Sequence, residues 1–499
     1  MDRRPRAEDR VQVLSEATPD SGADSGAARW SELLTPALAS RVGLVVLGIW
    51  LNAADGMVTA TIMPSVARDL GGYVWFAWAV VGFQLGCILA AASAGRAARR
   101  LGLRRAMILA AGVYAAGCAA SAAAPAIGVF LAGRMLQGVG AGWIVGFAYV
   151  AINTLFPQRL WSRVFGLGAG VWGVASLLGP LVGGVFAAAG HWRWVFSGFA
   201  AQAVLFALAA AALLRPHGRA GAAAAEAAID DKAMRAPWRT LVVLALAVLA
   251  VAGADVSPSG LAALGFILGG LGLFAVALRV NGRPGEGLIP RHAARPSTTA
   301  GAGYATIVCM SAASAAFNVY GAAILQARYG LSPLTAGYVV AVDAFGWTAA
   351  AFVVAGQPLI RHRAFIRAGA GVILAGVTGL SLSIGSGRLA LVIAAAAVMG
   401  VGFGLSWSLL SQRIVRSLPE AERSIAASAL PTVSMVGGAI GAALAGAVAN
   451  LLGLARAFTP ERAGALGPAL FAAFIPLAAL GCLAALQVAK RSGVDKQIA

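Results

Sequence analysis

Asp55, Arg134 and Asp343 are the three charged residues that fall well inside the long apolar stretches of this 499-residue chain, away from their ends. A charge at membrane depth costs roughly 3 kcal/mol or more unless it is paired or hydrated, so each marks a candidate site. A carboxylate there suits proton traffic. Neutral, it is tolerated in a low-dielectric cavity; ionised, it needs a partner or water. At about 1.5 Å per helical residue, Asp55 and Arg134 each lie roughly 12 Å inside the outer end of their stretch, and Asp343 about 14 Å inside its own. Asn52 precedes Asp55 by one turn, and Gln84, Gln137, Asn318 and Tyr320 are further polar groups at depth. With Trp143, Trp172 and Trp347 they are the candidates for lining a substrate cavity, although aromatic residues in such stretches more often pack or anchor at an interface.

The elements that must position these residues are helices. The chain is 60% hydrophobic and 11% charged, with a mean hydropathy of +0.81. A span needs about 20 apolar residues. Fourteen are expected, near 41–63, 72–94, 104–123, 126–150, 162–187, 195–214, 240–254, 258–278, 299–325, 334–357, 366–385, 388–412, 424–450 and 467–489. The seventh is short. Runs this long and uniformly apolar satisfy their backbones as helices rather than as barrel strands.

The net charge of +19 first suggests a polynucleotide partner, but its distribution argues for none. With the N-terminus inside, only Arg68, Arg193, Arg328, Arg388, Arg456 and Arg462 fall outside. That bias predicts cytoplasmic termini and contact with anionic lipid. Cys87, Cys118, Cys309 and Cys482 lie inside spans without paired spacing, and the four histidines lie at span ends or in loops. No metal or cofactor is expected. Nor is there a nucleophile–base constellation or a phosphate-binding Gly-rich Lys segment, which argues against an enzyme or an ATP-driven pump.

The expected organisation is a cytoplasmic tail (1–40), a six-helix half (41–214), a cytoplasmic loop with an inserted two-span hairpin and linker (215–298), a second six-helix half (299–489) and a short cytoplasmic tail (490–499). After the second span the chain reads Ala94-Gly95-Arg96-Ala97-Ala98-Arg99-Arg100. After the tenth it reads Ala355-Gly356-Gln357-Pro358-Leu359-Ile360-Arg361. A Gly followed by a basic cluster at equivalent places is what an internal repeat requires.

Three segments resemble signatures of the major facilitator superfamily. Gly95, Arg100, Gly102 and Arg104 fit its loop between helices two and three, but Arg99 stands where the family has an Asp. An Arg accepts no hydrogen bonds, so the charged latch that the family builds there must be rebuilt or weaker. Arg134-Met135-Leu136-Gln137-Gly138-Val139-Gly140 is similar to the fourth-helix segment, where Gly138, Gly142 and Gly146 read as close packing through small residues. Gly166, with Gly179-Pro180-Leu181-Val182-Gly183-Gly184, resembles the fifth-helix segment associated with antiporters; Pro180 removes a backbone hydrogen bond and bends the helix. Asp55 to Pro64 and His191-Trp192-Arg193-Trp194-Val195-Phe196 resemble segments of the fourteen-span drug–proton antiporter branch.

The resemblance implies an all-α membrane fold of two six-helix halves. It also implies secondary active transport, with proton-coupled efflux of an amphipathic or lipophilic small molecule from a monomer in a bacterial cytoplasmic membrane. Helices one and four are neighbours in that fold, so an Asp55–Arg134 pair is expected, with Asp343 contributing a second titratable or cation-binding group. The alternatives are a static ion pair in an importer or facilitator, a water-facing Asp343, and a non-transporting membrane scaffold.

Overall fold

The computed structural model describes residues 30–490, apart from 92, 215–236, 258, 284–286, 291–294, 356, 359–360 and 455–457. The tail before Trp30, most of the loop that follows the sixth span, Gly356 of the repeated loop and the last nine residues lie outside the described residues.

The first half comprises α1 (Pro36–Leu70), α2 (Trp78–Ala91), α3 (Leu103–Ala122), α4 (Ile127–Leu155), α5 (Trp161–Ala188) and α6 (Trp192–Leu213). A hairpin follows, α7 (Trp238–Gly253) and α8 (Gly260–Asn281). The second half comprises α9 (Thr299–Tyr329), α10 (Pro333–Val354), α11 (His362–Ser386), α12 (Leu389–Arg416), α13 (Glu420–Leu451), and α14 (Pro460–Ala472) with α15 (Ile475–Lys490). Thirteen of the resulting spans are long and apolar enough to cross a bilayer.

Local chemistry sets the ends. Ser259, Thr298, Ser332 and Thr459 each accept a backbone N–H of the first helical turn, satisfying a donor the helix leaves free. Gly71, Gly330 and Gly387 close helices at φ of 69°, 62° and 70°, a conformation that suits glycine. The fourteenth span, expected as one run over 467–489, breaks between Ala472 and Ile475. Pro476 cannot donate to the carbonyl of Ala472, and its ring would collide with that carbonyl. α7 has 16 residues, roughly 24 Å of helix, which is short of a hydrocarbon core of about 30 Å.

The two halves use the same packing. On α4, a Cβ at Gly138 would lie 2.1 Å from the Phe83 carbonyl oxygen and one at Gly142 2.5 Å from that of Cys87, so α2 and α4 touch backbone to backbone. On α12, Gly400 and Gly404 meet the carbonyls of Asp343 and Trp347 on α10 at 1.8 and 2.2 Å in the same way. Gly117 of α3 stands against Gln137 N, and Gly376 of α11 against Met399 N. Counting along the helices from these equivalent contacts, Arg134 corresponds to Ala396, Gln137 to Met399, Tyr114 to Ile373, and Phe83 to Asp343.

One end of the bundle carries the Arg96–Arg105 and Arg361–Arg367 clusters and is called the basic end below. At the opposite end the halves close on each other. Phe76, before α2, stacks on Tyr320 of α9 with centroids 5.1 Å apart, and Phe458 covers Tyr73, Phe76 and Tyr320. A Cβ at Gly184 of α5 would lie 2.4 Å from the Leu334 Cα of α10, and one at Gly337 2.7 Å from the Thr61 hydroxyl. α7 bridges the halves: Leu241 and Leu244, in its first two turns, pack with Ile88 of α2 and Val436 of α13, one helix from each half.

Candidate functional site

The Asp55–Arg134 pair forms at the centre of the first half. α1 brings Asp55, and α4 brings Arg134 and, one turn on, Gln137. Arg134 Nη1 donates to Asp55 Oδ1 at 2.9 Å and to Gln137 Oε1 at 2.7 Å. Gln137 Nε2 donates to the same Asp55 Oδ1 at 2.7 Å and to Tyr114 Oη of α3 at 3.3 Å. Tyr114 Oη in turn donates to the Leu51 carbonyl at 3.2 Å. The guanidinium carbon lies 4.5 Å above the Phe83 ring and 5.9 Å from that of Phe196, and Nε reaches the Ala79 carbonyl at 3.5 Å. Five helices therefore meet on one ion pair, whose side chains are 2% and 0% exposed.

Asp55 Oδ1 accepts two hydrogen bonds, whereas Oδ2 is buried with no partner among the described residues. A buried acceptor left unmade costs more than a made one gains. Chemically, a carboxylate oxygen in that position can take up a proton or accept a hydrogen bond. Asn52 is 7% exposed and its Nδ2 is likewise unpartnered.

Asp343 stands apart from the pair. Its backbone is pressed against Gly400 of α12, and its Oδ1 is buried without a partner among the described residues. Equal depth along a helix fixes height and not azimuth. The repeat places Asp343 where Phe83 stands in the first half, not where Asp55 does.

The cavity candidates divide. Trp172 is 46% exposed and Asn318 is exposed. Gln84 faces Gly438 across the seam, with Oε1 unpartnered. Trp347 stacks on Phe403 at 5.1 Å beside Trp407; Phe403 and Trp407 in turn line a small apolar cavity with Thr306 and Met310. Tyr320 is fully buried in the aromatic stack at the closed end, rather than lining a cavity. Trp143 is a packing anchor: its Nε1 donates to Ser93 Oγ at 2.8 Å. Trp143→Phe is expected to lower stability by about 1 kcal/mol in thermal unfolding, the worth of one hydrogen bond, and to leave the substrate KM unchanged.

The loop and fifth-helix segments take different places. Gly95, Arg99 and Arg100 ride a short helix, Ala94–Leu101, that Gly102 ends at φ 74°; Arg99 is half-buried, and Arg104 Nε is buried without a partner among the described residues. Gly166 has open space around it. Gly179 and Gly183 meet Met57 and Val58 of α1, and Pro180 and Gly184 meet Gly337 and Leu334 of α10, so this segment is where α5 crosses into the other half. Trp192 Nε1 and Arg193 Nη1 both donate to Asp69 Oδ2, and Arg193 Nη2 reaches the Ala124 carbonyl at 3.1 Å, tying α6 to α1 and to the turn after α3. Tyr114, Asp255 and Asn450 were not singled out by the sequence. A lone tyrosine in an Ala/Gly-rich span was the available signal for the first.

The Major Facilitator Superfamily profile matches residues 45–318. The chain belongs to that superfamily, a class of membrane transporters rather than enzymes. It is 31% identical over 475 residues to a Mycobacterium tuberculosis protein named "Probable multidrug-efflux transporter", covering 93% of this chain and 97% of that one. It is also 28% identical over 152 residues to multidrug resistance protein 3 of Bacillus subtilis, 30% of each chain. Among solved structures, a D-xylose–proton symporter aligns over 90% of this chain and 97% of its own, at a TM-score of 0.60 and 15% identity. The nucleoside transporter NupG aligns over 90% and 99%, at 0.60 and 13%. At those identities the likeness is one of fold.

Proposed function

We propose that this protein is a proton-coupled exporter of amphipathic or lipophilic small molecules. It acts as a monomer by alternating access in a bacterial cytoplasmic membrane, with both termini in the cytoplasm. The observation that carries the reading is the unpartnered Oδ2 of Asp55 inside a sealed, charged network of a superfamily transporter. The full-length relatedness to a protein named for multidrug efflux supports the direction and cargo class. Asp55 takes up the proton at that oxygen. Arg134 holds the other oxygen and is released from it when Asp55 is neutral, and Gln137 and Tyr114 keep the carboxyl oriented in both forms. Asp343, half a molecule away in the repeat, supplies a second acidic group to a cationic cargo. With the basic end in the cytoplasm, the described conformation is closed toward the outside.

The complete burial of the pair favours a second reading, a facilitator of the same fold in which the pair is structural. Purified protein in proteoliposomes with an internal pH reporter separates the two. On a gradient, a panel of lipophilic cations and neutral drugs is expected to release protons in a compound-dependent way, and Asp55→Asn is expected to abolish that release. Full coupled transport by Asp55→Asn would remove the proton role. Compound flux without proton movement would establish the facilitator.

A further inference from the structure

Asp255 is a carboxyl that the transport chemistry above does not use. It follows α7 in the turn between the two hairpin helices, at the closed end of the molecule, yet it is only 2% exposed. Asn450, at the end of α13, donates through Nδ2 to the Asp255 backbone carbonyl at 2.6 Å, to Asp255 Oδ1, and to the Val74 carbonyl at 3.1 Å. One amide thus joins the first half, the inserted hairpin and the second half. Gly446, one turn earlier on α13, makes room for the carboxyl: a Cβ there would lie 2.5 Å from Asp255 Oδ2. Among the described residues that Oδ2 is buried with no partner, and so is the hydroxyl of Tyr320 in the adjoining aromatic stack.

We propose that Asp255 is a second proton-binding site, outside the spans, that fastens the hairpin across the closed end of the transporter and so governs how readily that end opens. The inference rests on the alternating-access reading, not on the role given to Asp55. An orphaned carboxylate oxygen against Gly446, with only one amide donor near it, is a poor place for a negative charge and a good one for a neutral acid.

The neighbours reinforce this. Gly446 and Asn450 on α13, the first turn of α8 and Val74 carry no charge. Tyr320 on α9 is the titratable group whose electrostatics reach Asp255. Tyr73 packs against Phe458 with the rings tilted, and Arg462 donates to the Gly453 carbonyl. Burial pushes the Asp255 carboxyl up from 3.8 to about 8, partly offset by the Asn450 hydrogen bond.

The sign follows from linkage. In the open form, where water reaches the turn, the acid ionises near its ordinary value. In the closed form it holds its proton to about pH 8. Closure therefore takes up a proton between those values, and the closed-to-open ratio falls as pH rises, by up to about tenfold per unit. Above pH 8 both forms are ionised and the dependence ends.

The test uses the full chain in nanodiscs, with Cys309 and Cys482 replaced by Ala. Spin labels at Ala189→Cys and Ala390→Cys report the distance across this end by double electron–electron resonance from pH 5 to 9. The wild-type background is expected to shift from the short to the long distance as pH rises, and Asp255→Asn to keep the short distance throughout. Asn450→Leu is expected to open the end at a pH where the parent is closed. A pH response unchanged in Asp255→Asn, or one lost in Asp55→Asn instead, overturns the proposal. So does an Asn450→Leu protein that stays closed at every pH. The distances need neither cargo nor proton flux, so a failed transport assay counts against the proposed function and leaves this result standing.

Discussion

Arg134→Ala is expected to cost about 3–5 kcal/mol of stability and to abolish transport, whereas removing the charge from both partners restores most of the stability. The first figure is the usual penalty for stranding one member of a buried ion pair, because the charge left behind keeps its desolvation cost without its compensation. Here the stranded group is Asp55, which is 0% exposed and would keep only the Gln137 hydrogen bond. Asp55→Asn with Arg134→Gln replaces the pair by amides that can bond to each other and to Gln137. Thermal unfolding of the four proteins of that cycle checks the claim, with a favourable coupling of several kcal/mol expected. Additive losses would mean that the two charges do not depend on each other. The stabilised double variant should remain inactive, which separates the fold's need for the network from the mechanism's need for its charge.

Gly184→Ala is the second large effect, and it acts by shape alone. The new methyl would sit 2.4 Å from the Leu334 Cα and 2.8 Å from its N. These are backbone atoms that cannot rotate away. Overpacking of this kind costs about 1–3 kcal/mol, and the strain exists only while α5 and α10 are together at the closed end. The closed-to-open ratio should fall roughly tenfold or more, with turnover falling alongside it and the unfolding temperature little changed. Gly166→Ala, with open space around it, is the control expected to behave as wild type. Equal turnover in both variants would show that the halves do not come this close in the working cycle.

The sequence made the helices legible because a bilayer leaves the backbone one economical solution and apolar length marks each span directly. It also made Asp55 and Arg134 legible, since buried charge is costly enough that only a partner explains it. Azimuth was not legible. Asp343 shares a depth with the pair but faces another neighbour, because a helix with small residues all round does not reveal which side its partners occupy. Tyr320 read as a cavity group for the same reason and proved to be part of the closure. Asp255 was passed over because Val-Ser-Pro-Ser after it has the composition of an exposed turn. Its burial comes from Asn450 and Gly446, roughly two hundred residues away in sequence. The break at Pro476 was readable in principle, since proline's missing N–H is a local property.

The matching glycine contacts of the two halves put Ala396, Met399 and Ile373 at the places of Arg134, Gln137 and Tyr114, and all three are fully buried. The duplicated scaffold thus keeps its ionic core in one copy only. A change at Arg134 or Gln137 strands a charge, while a change at Met399 or Ile373 trades one apolar contact for another and is tolerated if volume is kept. Mutational drift in what the molecule accepts is therefore channelled into the second copy. The first is held nearly fixed by the cost of its own charges, so change is absorbed by the second copy without disturbing the ionic network of the first.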